Sequence, residues 1–317
     1  MIPYGSYMKY IEPSISAIRP DWRKEFKRLE GAYAPATIKA YYTDLTHFEN
    51  WCLVHNLQPF PATPLTVSVY LEGMAPNRSV STIQRRMYAI SRSHRLLRLQ
   101  DPTQDEDVHL AVRRIMRSKR CRPKQAKGLT HEYLEKFLGV QPDNPWGIRN
   151  RAIISLGYDI LARRSELVAL MTDDIEQRSD GTLRLIIRRS KTDPFGMGRL
   201  AFTSKRTARL VREWLGWRGP EIQPLFCGIY QGRAINRALG PDTIKLIIKN
   251  AARVCGLERI EADAFSAHSL RVGAAQDLLR NGHDTAAIMR AGGWKSVDVM
   301  ARYLELAEHN VWEVIYS

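Results

Sequence analysis

The sequence predicts a mainly α protein of two domains, an N-terminal helical bundle followed by an α-rich domain with one small antiparallel sheet. Three observations predict it. Apolar residues recur at spacings of three and four through most of the chain, the period of an amphipathic helix. Strand-like alternation is confined to residues 182–203. A cationic run without one acidic residue, Val112–Gly128, separates the two textures. With 317 residues the chain is long enough for two domains.

After an N-terminal tail, 1–20, the first domain is expected over 21–117. In ATIKAYYTDLTHFENWCLVH (36–55), Ile38, Tyr41, Tyr42, Leu45, Phe48, Trp51 and Cys52 line one helical face. A second helix runs from Pro64 to Met74. A third follows Ser79-Val80-Ser81, with Ile83, Met87, Ile90 and Leu97 on one side. Periodicity fades after Met116, and Pro123 and Gly128 punctuate the next stretch, so a helix runs out into a basic linker over 118–128. Arg113, Arg114, Arg117, Lys119, Arg120, Arg122, Lys124 and Lys127 repel one another there unless phosphates lie close.

The second domain is expected over 129–308. Helical patterns at 130–140 and 146–171 lead to TLRLIIRRSKTDPFGMGRLAFT, where Leu183, Leu185 and Ile187 alternate, DPFG turns, and Leu200 and Phe202 alternate again. That is a hairpin or a three-stranded sheet. Helices resume at 205–217, 241–256, 267–281, 284–291 and 296–308. The tail HNVWEVIYS, 309–317, crowds Val311, Trp312, Val314 and Ile315 on a short helix too apolar to leave in water.

Charge narrows the partner. Lys and Arg number 48 against 33 Asp and Glu, a net +15 with pI near 9.8. Self-repulsion on that scale is relieved by a polyanion, so nucleic acid or an anionic membrane is indicated. The most apolar run, AIISLGYDILA, contains Asp159 and is too short to span a bilayer, which needs roughly 20 apolar residues. MIPYGSYMKYIEP lacks the order of a secretory signal. Cys52, Cys121, Cys227 and Cys255 stand singly, which fits a reducing cytoplasm and neither structural zinc nor a disulfide framework. GMGRL has neither Rossmann spacing nor a P-loop lysine, so no nucleotide cofactor is expected.

Five features of the second domain matter together. ARRSEL (162–167) ends a helical pattern with Arg163 and Arg164, and Lys191 sits at the hairpin tip. His268 and Arg271 are spaced to share a helical face. Trp294 follows Gly292-Gly293, and Tyr303 lies in the last long helix. Singly, each has an ordinary reading as surface charge or core. Jointly they are almost all donors or cations, without paired carboxylates or a metal-ligand set. Such a set suits a phosphodiester that gains negative charge in its transition state, because guanidinium forks match two phosphate oxygens. A tyrosine beside several cations has a stabilised phenolate, and its attack would need neither metal nor ATP.

The order A-R-x-S-E-L, hairpin lysine, H-x-x-R, G-G-W and Y resembles the tyrosine recombinase (phage integrase) family. HSLRVGAA and IMRAGGWKSVDVMARYL are most similar to its Cre-like subgroup, and the helical N-terminal part resembles the family's core-binding domain. The resemblance implies a site-specific recombinase in which Tyr303 attacks the scissile phosphate to give a 3′-phosphotyrosine. Arg163 and Arg271 hold the non-bridging oxygens and Trp294 donates its indole N–H. His268 supplies a hydrogen bond or proton transfer, and Lys191 protonates the leaving 5′ oxygen. Glu166 orients the site. Arg164 competes for the first arginine's role, but the family usually has an apolar residue there. The resemblance also implies double-stranded DNA with an inverted-repeat site, a Holliday junction, and a homotetramer on DNA from a monomer or weak oligomer. In it the 309–317 helix docks on a neighbouring subunit, although packing on its own domain is the alternative.

Candidate DNA contacts are Thr37 and Lys39, then Thr82, Gln84, Arg85 and Arg86, then Arg120, Arg122 and Lys124 of the linker. For the helical residues a solvated face is an equal reading. Rival readings keep the pocket in a topoisomerase or telomere resolvase, for whose usual extra domains there is little room, or keep only DNA binding on a recombinase scaffold.

Overall fold

The computed structural model describes residues 21–119, 125–188 and 198–304. The N-terminal tail, Arg120, Arg122, Lys124, Lys191 and the 309–317 segment lie outside the described residues. The chain divides into two compact units between Pro123 and Lys124.

The first unit is a bundle of α1 (Trp22–Phe26), α2 (Pro35–Val54), α3 (Pro64–Met74), α4 (Val80–Leu96) and α5 (Glu106–Ser118). Its helix starts follow local chemistry. Proline opens α2 and α3, where its missing N–H costs nothing. The side chains of Thr63, Ser79 and Asp105 accept from Thr66 N, Thr82 N and Asp107 N at 3.1, 3.3 and 2.9 Å. Trp22, Phe48, Tyr70, Ile83 and Val108 meet in the core. The five-residue α1 has too little length for a periodic signal.

The second unit contains α6 (His131–Gly139), α7 (Pro145–Asp159), α8 (Arg164–Ala169), β1 (Ile175–Gln177), β2 (Leu183–Ile187), β3 (Arg199–Phe202) and α9 (Lys205–Arg218). It continues through β4 (Cys227–Tyr230), β5 (Arg233–Ala238), α10 (Pro241–Val254), α11 (Arg259–Ala264), α12 (Ser269–Arg280), α13 (Thr285–Gly292) and α14 (Val297–Leu304). Strands β1, β2 and β3 form an antiparallel sheet in that order. The central α7 packs against α6, α9 and α12. Gly157 permits the crossing, since a Cβ there would lie 2.7 Å from Leu270 Cδ1 and 2.9 Å from Leu167 Cδ1. Among the described residues, no helix is long and apolar enough to cross a membrane.

Three expectations are corrected. The helical pattern over 146–171 is broken: α7 ends at Asp159 and α8 begins at Arg164. Leu161 takes a left-handed φ of 48°, Ala162 N donates to Gly157 O at 3.0 Å and Leu161 N to Tyr158 O at 3.1 Å. This is a Schellman ending built without glycine. Burial of Leu161, roughly 1.5–3 kcal/mol for such a side chain, offsets a left-handed cost of about 1–2 kcal/mol.

A second sheet also exists, β4 against β5, turned at Gln231-Gly232 with both φ positive. That is the geometry of a two-residue hairpin turn written with Gln in place of the usual Asn or Asp. The faces of β3 are the reverse of those its apolar residues suggest. Leu200 and Phe202 are exposed, while Arg199 and Ala201 pair with Ile187 and Leu185 on the inner side. Because side chains alternate, a shift of one residue exchanges the faces.

Candidate active site

The turn between α7 and α8 supplies the first arginine. Arg163 is the N-cap of α8 in extended conformation, and its backbone N–H donates to Glu166 Oε2 at 3.1 Å. Glu166, buried at the third helical position, thus satisfies an otherwise unpaired helix N–H, the acidic half of a capping box. Its other oxygen accepts from Arg163 Nη1 at 2.6 Å, so one carboxylate fixes both the backbone and the guanidinium of Arg163.

His268 caps α12 and Arg271 lies one turn inside it. Arg271 has no exposed surface. Its Nη1 donates to Leu161 O at 2.6 Å, the carbonyl presented by the left-handed turn. Arg271 Nε and Nη2 have no hydrogen-bond partner among the described residues, and neither does the buried indole Nε1 of Trp294. An unmet buried donor costs about 1–3 kcal/mol. Three of them close together mark a place shaped for an acceptor. The Trp294 ring lies 3.8 Å from Arg271 Cζ, a cation–π contact.

Trp294 is aimed by the two glycines before it. Gly292 ends α13 with no room for a side chain, because a Cβ would sit 1.9 Å from the indole. Gly293 adopts the left-handed φ of 65° that terminates the helix. Tyr303, half-buried on α14, places its ring 5.0 Å from that of His268, 5.1 Å from that of Trp294 and 5.8 Å from Arg271 Cζ. Gln276 Nε2 donates to Tyr303 O at 3.3 Å and holds this turn of α14 against α12.

The electrostatics are dominated by excess positive charge. Desolvation of the ring, then the Arg271 and Arg163 charges, pushes His268 down to about 4, although the residue as a whole is exposed. The imidazole is therefore neutral at pH 7. Burial and the neighbouring Arg163 lower Arg271 to about 10, so it remains a cation. Among the described residues no group of three His, Cys, Asp or Glu could hold a metal ion.

Arg163, Glu166, His268, Arg271, Trp294 and Tyr303 thus come together within one unit. Arg164 points elsewhere, to Asp242 at 2.8 Å. Arg199 was missed by sequence reasoning. From β3 it donates to Ala291 O at 2.6 Å, Ile160 O at 2.7 Å and Glu166 Oε2 at 3.4 Å. The available signal was an arginine at an inward-facing strand position.

The candidate DNA contacts of the first unit divide. Lys39 is exposed on α2, and Thr37, Thr82 and Gln84 are half-buried. Arg85 is exposed but holds Asp44 through two bonds, 2.7 and 3.0 Å. Arg86 does not belong to that surface. It is buried, donating to Tyr70 Oη at 3.1 Å and also engaging Met74 Sδ. It falls three residues after Ile83 and four before Ile90, on the inward stripe of α4.

Comparison with known proteins identifies relatives of the whole chain. The chain is 29% identical over 293 residues to an integrase/recombinase xerD homolog of Selenomonas ruminantium, covering 89% of this chain and 85% of that protein. It is also 29% identical over 290 residues to the recombinase cre of Escherichia phage P1, covering 86% and 84%. In fold it is similar to the XerH site-specific recombinase bound to palindromic difH substrate, with TM-score 0.66, 17% identity and 98% and 93% coverage. It is likewise similar to a lambda integrase dimer bound to a COC′ core site, with TM-score 0.66, 16% identity and 91% and 78% coverage. Residues 127–310 match the model of the phage integrase family, and the chain belongs to that family, the site-specific tyrosine recombinases.

Proposed function

We propose that this recombinase cleaves and rejoins double-stranded DNA through a 3′-phosphotyrosine, with Tyr303 as nucleophile. The observation that carries the reading is the convergence of unmet Arg271 and Trp294 donors beside the Tyr303 ring. A phosphodiester seated there would accept from Arg271 Nε or Nη2, from Trp294 Nε1 and from Arg163. Fixed donors of this kind are worth about 3–4 kcal/mol each in the transition state, where charge on the non-bridging oxygens grows.

In the forward step the Tyr303 oxygen bonds to phosphorus as the bond to the 5′ oxygen breaks. Neutral His268 is able to accept a hydrogen bond or the phenolic proton. Lys191, assigned from the family pattern alone, gives a proton to the leaving 5′ oxygen. Phosphotyrosine conserves the bond energy, so a 5′-hydroxyl from a second duplex reverses the step and joins new partners. Exchange two strands at a time gives a Holliday junction within a homotetramer, on a site with inverted repeats. The xerD-type and cre relatives are recombinases, and the XerH and lambda integrase structures contain their own DNA sites. Lys39, Gln84, Arg85 and the linker cations Arg120, Arg122 and Lys124 are the residues of this chain we assign to DNA contact. The apolar 309–317 segment is assigned to the contact between subunits.

The test uses a DNA site recovered by binding selection and nicked beside the scissile phosphate, so that the cleaved fragment diffuses away. Wild type should accumulate a covalent protein–DNA adduct. Tyr303→Phe should bind the same DNA and form none. Adduct from the variant would move the nucleophile elsewhere, and its absence from wild type would leave only DNA binding.

A further inference from the structure

Arg199 lies outside the residues assigned above, yet its guanidinium joins three segments that build the site. Ile160 O belongs to the turn just before Arg163, and Ala291 O belongs to the last turn of α13, just before Gly292-Gly293-Trp294. Glu166 is the carboxylate that fixes Arg163. The Arg163 guanidinium takes Oε1 of that carboxylate at 2.6 Å, while Arg199 shares Oε2, 3.4 Å away, with the Arg163 backbone N–H. Both carbonyls terminate helices, where unpaired acceptors and the negative end of the helix dipole favour a cation.

The stem of Arg199 passes over bare backbone. A Cβ at Gly293 would come within 2.9 Å of Arg199 Cδ, so the glycine that turns the chain toward Trp294 also makes room for this arginine. The side chain is 12% exposed, too enclosed to serve as a peripheral phosphate contact. A planar guanidinium reaches three acceptors in different directions, which a lysine ammonium on a flexible stem does not reproduce.

Building on the reading of Tyr303 as nucleophile, we propose that Arg199 is a positioning residue for strand cleavage. Acting through Glu166 and the two helix ends, it holds Arg163 and Trp294 in register with Arg271 around the scissile phosphate. Misplacement of about 1 Å in such groups costs on the order of 100-fold in rate.

The experiment compares full-length wild type, Arg199→Lys and Arg199→Gln in single-turnover adduct formation on the nicked site. The scissile linkage is either the phosphodiester or a methylphosphonate, in which a methyl replaces one non-bridging oxygen and removes its charge. Thermal melting and noncovalent binding are measured alongside. A positioning role predicts retained binding, about 100-fold slower cleavage of the phosphodiester, and about tenfold or less on the methylphosphonate, where the guanidiniums matter less. Equal losses on both substrates, or no loss, would overturn it. So would loss of the melting transition in both variants, which would make Arg199 a folding residue. Absence of adduct from wild type would instead refute the parent reading.

Discussion

Arg271 and His268 show how one cluster sets the chemistry of single residues. Arg271 stays charged inside the protein because Leu161 O, the Trp294 face and Glu166 surround it, and its remaining donors await an anion. Desolvation first, and then the Arg271 and Arg163 charges, keep His268 unprotonated, with its pKa pushed to about 4. NMR of the imidazole in the free protein should therefore show a midpoint well below the ordinary value near 6.5. A midpoint at or above 6.5 would contradict the arrangement. Between pH 6.5 and 4 the unfolded chain binds more protons at this residue than the folded one, so stability falls as pH drops through that window. His268→Gln should lose less stability than wild type on acidification across it, as measured by denaturation midpoints.

The residues that sequence could name were those in a recognisable order around glycines and a helix. Arg199 escaped because its partners are two carbonyls and one carboxylate far away in sequence. Arg86 misled for the opposite reason. Its charge suggested the surface, while its spacing from Ile83 and Ile90 had already placed it inside.

At the scale of elements, Gly292 provides the sharpest case. Gly292→Ala would press a methyl into the Trp294 ring, and overpacking of this kind costs about 1–3 kcal/mol. Chemical denaturation should register that loss, and adduct formation should fall further than stability alone explains, because the indole N–H moves. An unchanged cleavage rate would remove Trp294 from the machinery. The Schellman turn at Leu161 is equally consequential, since it aims Leu161 O at Arg271. Nothing in its sequence announces it, because the left-handed position holds a buried leucine. The β4–β5 hairpin was hidden in the same way by a Gln-Gly turn. By contrast, α3 and α4 could be read closely from Pro64 and Ser79.

For the whole molecule the net +15 is the governing quantity. Binding that neutralises several phosphates releases counterions, so affinity should fall about 1,000-fold or more between roughly 50 and 200 mM salt. A flat salt response, followed by equilibrium titration, would leave the charge excess unexplained. Removal of residues 310–317 should spare binding to a single site but reduce tetramer assembly on paired sites, read by sedimentation. Normal assembly would return that apolar tail to packing on its own domain. Domain number and charge were available from sequence because they sum over many residues. The convergence of Arg163, Arg271, Trp294 and Tyr303 required the fold.

The decisive measurement is the position of the scissile phosphate in a crystal structure of Tyr303→Phe bound to its DNA site. Its non-bridging oxygens should lie within hydrogen-bond reach of Arg271 and Trp294 Nε1, with the edge of the substituted ring turned toward phosphorus. A phosphate seated away from both donors, or a ring facing away with the helix otherwise intact, would contradict covalent strand transfer by this tyrosine.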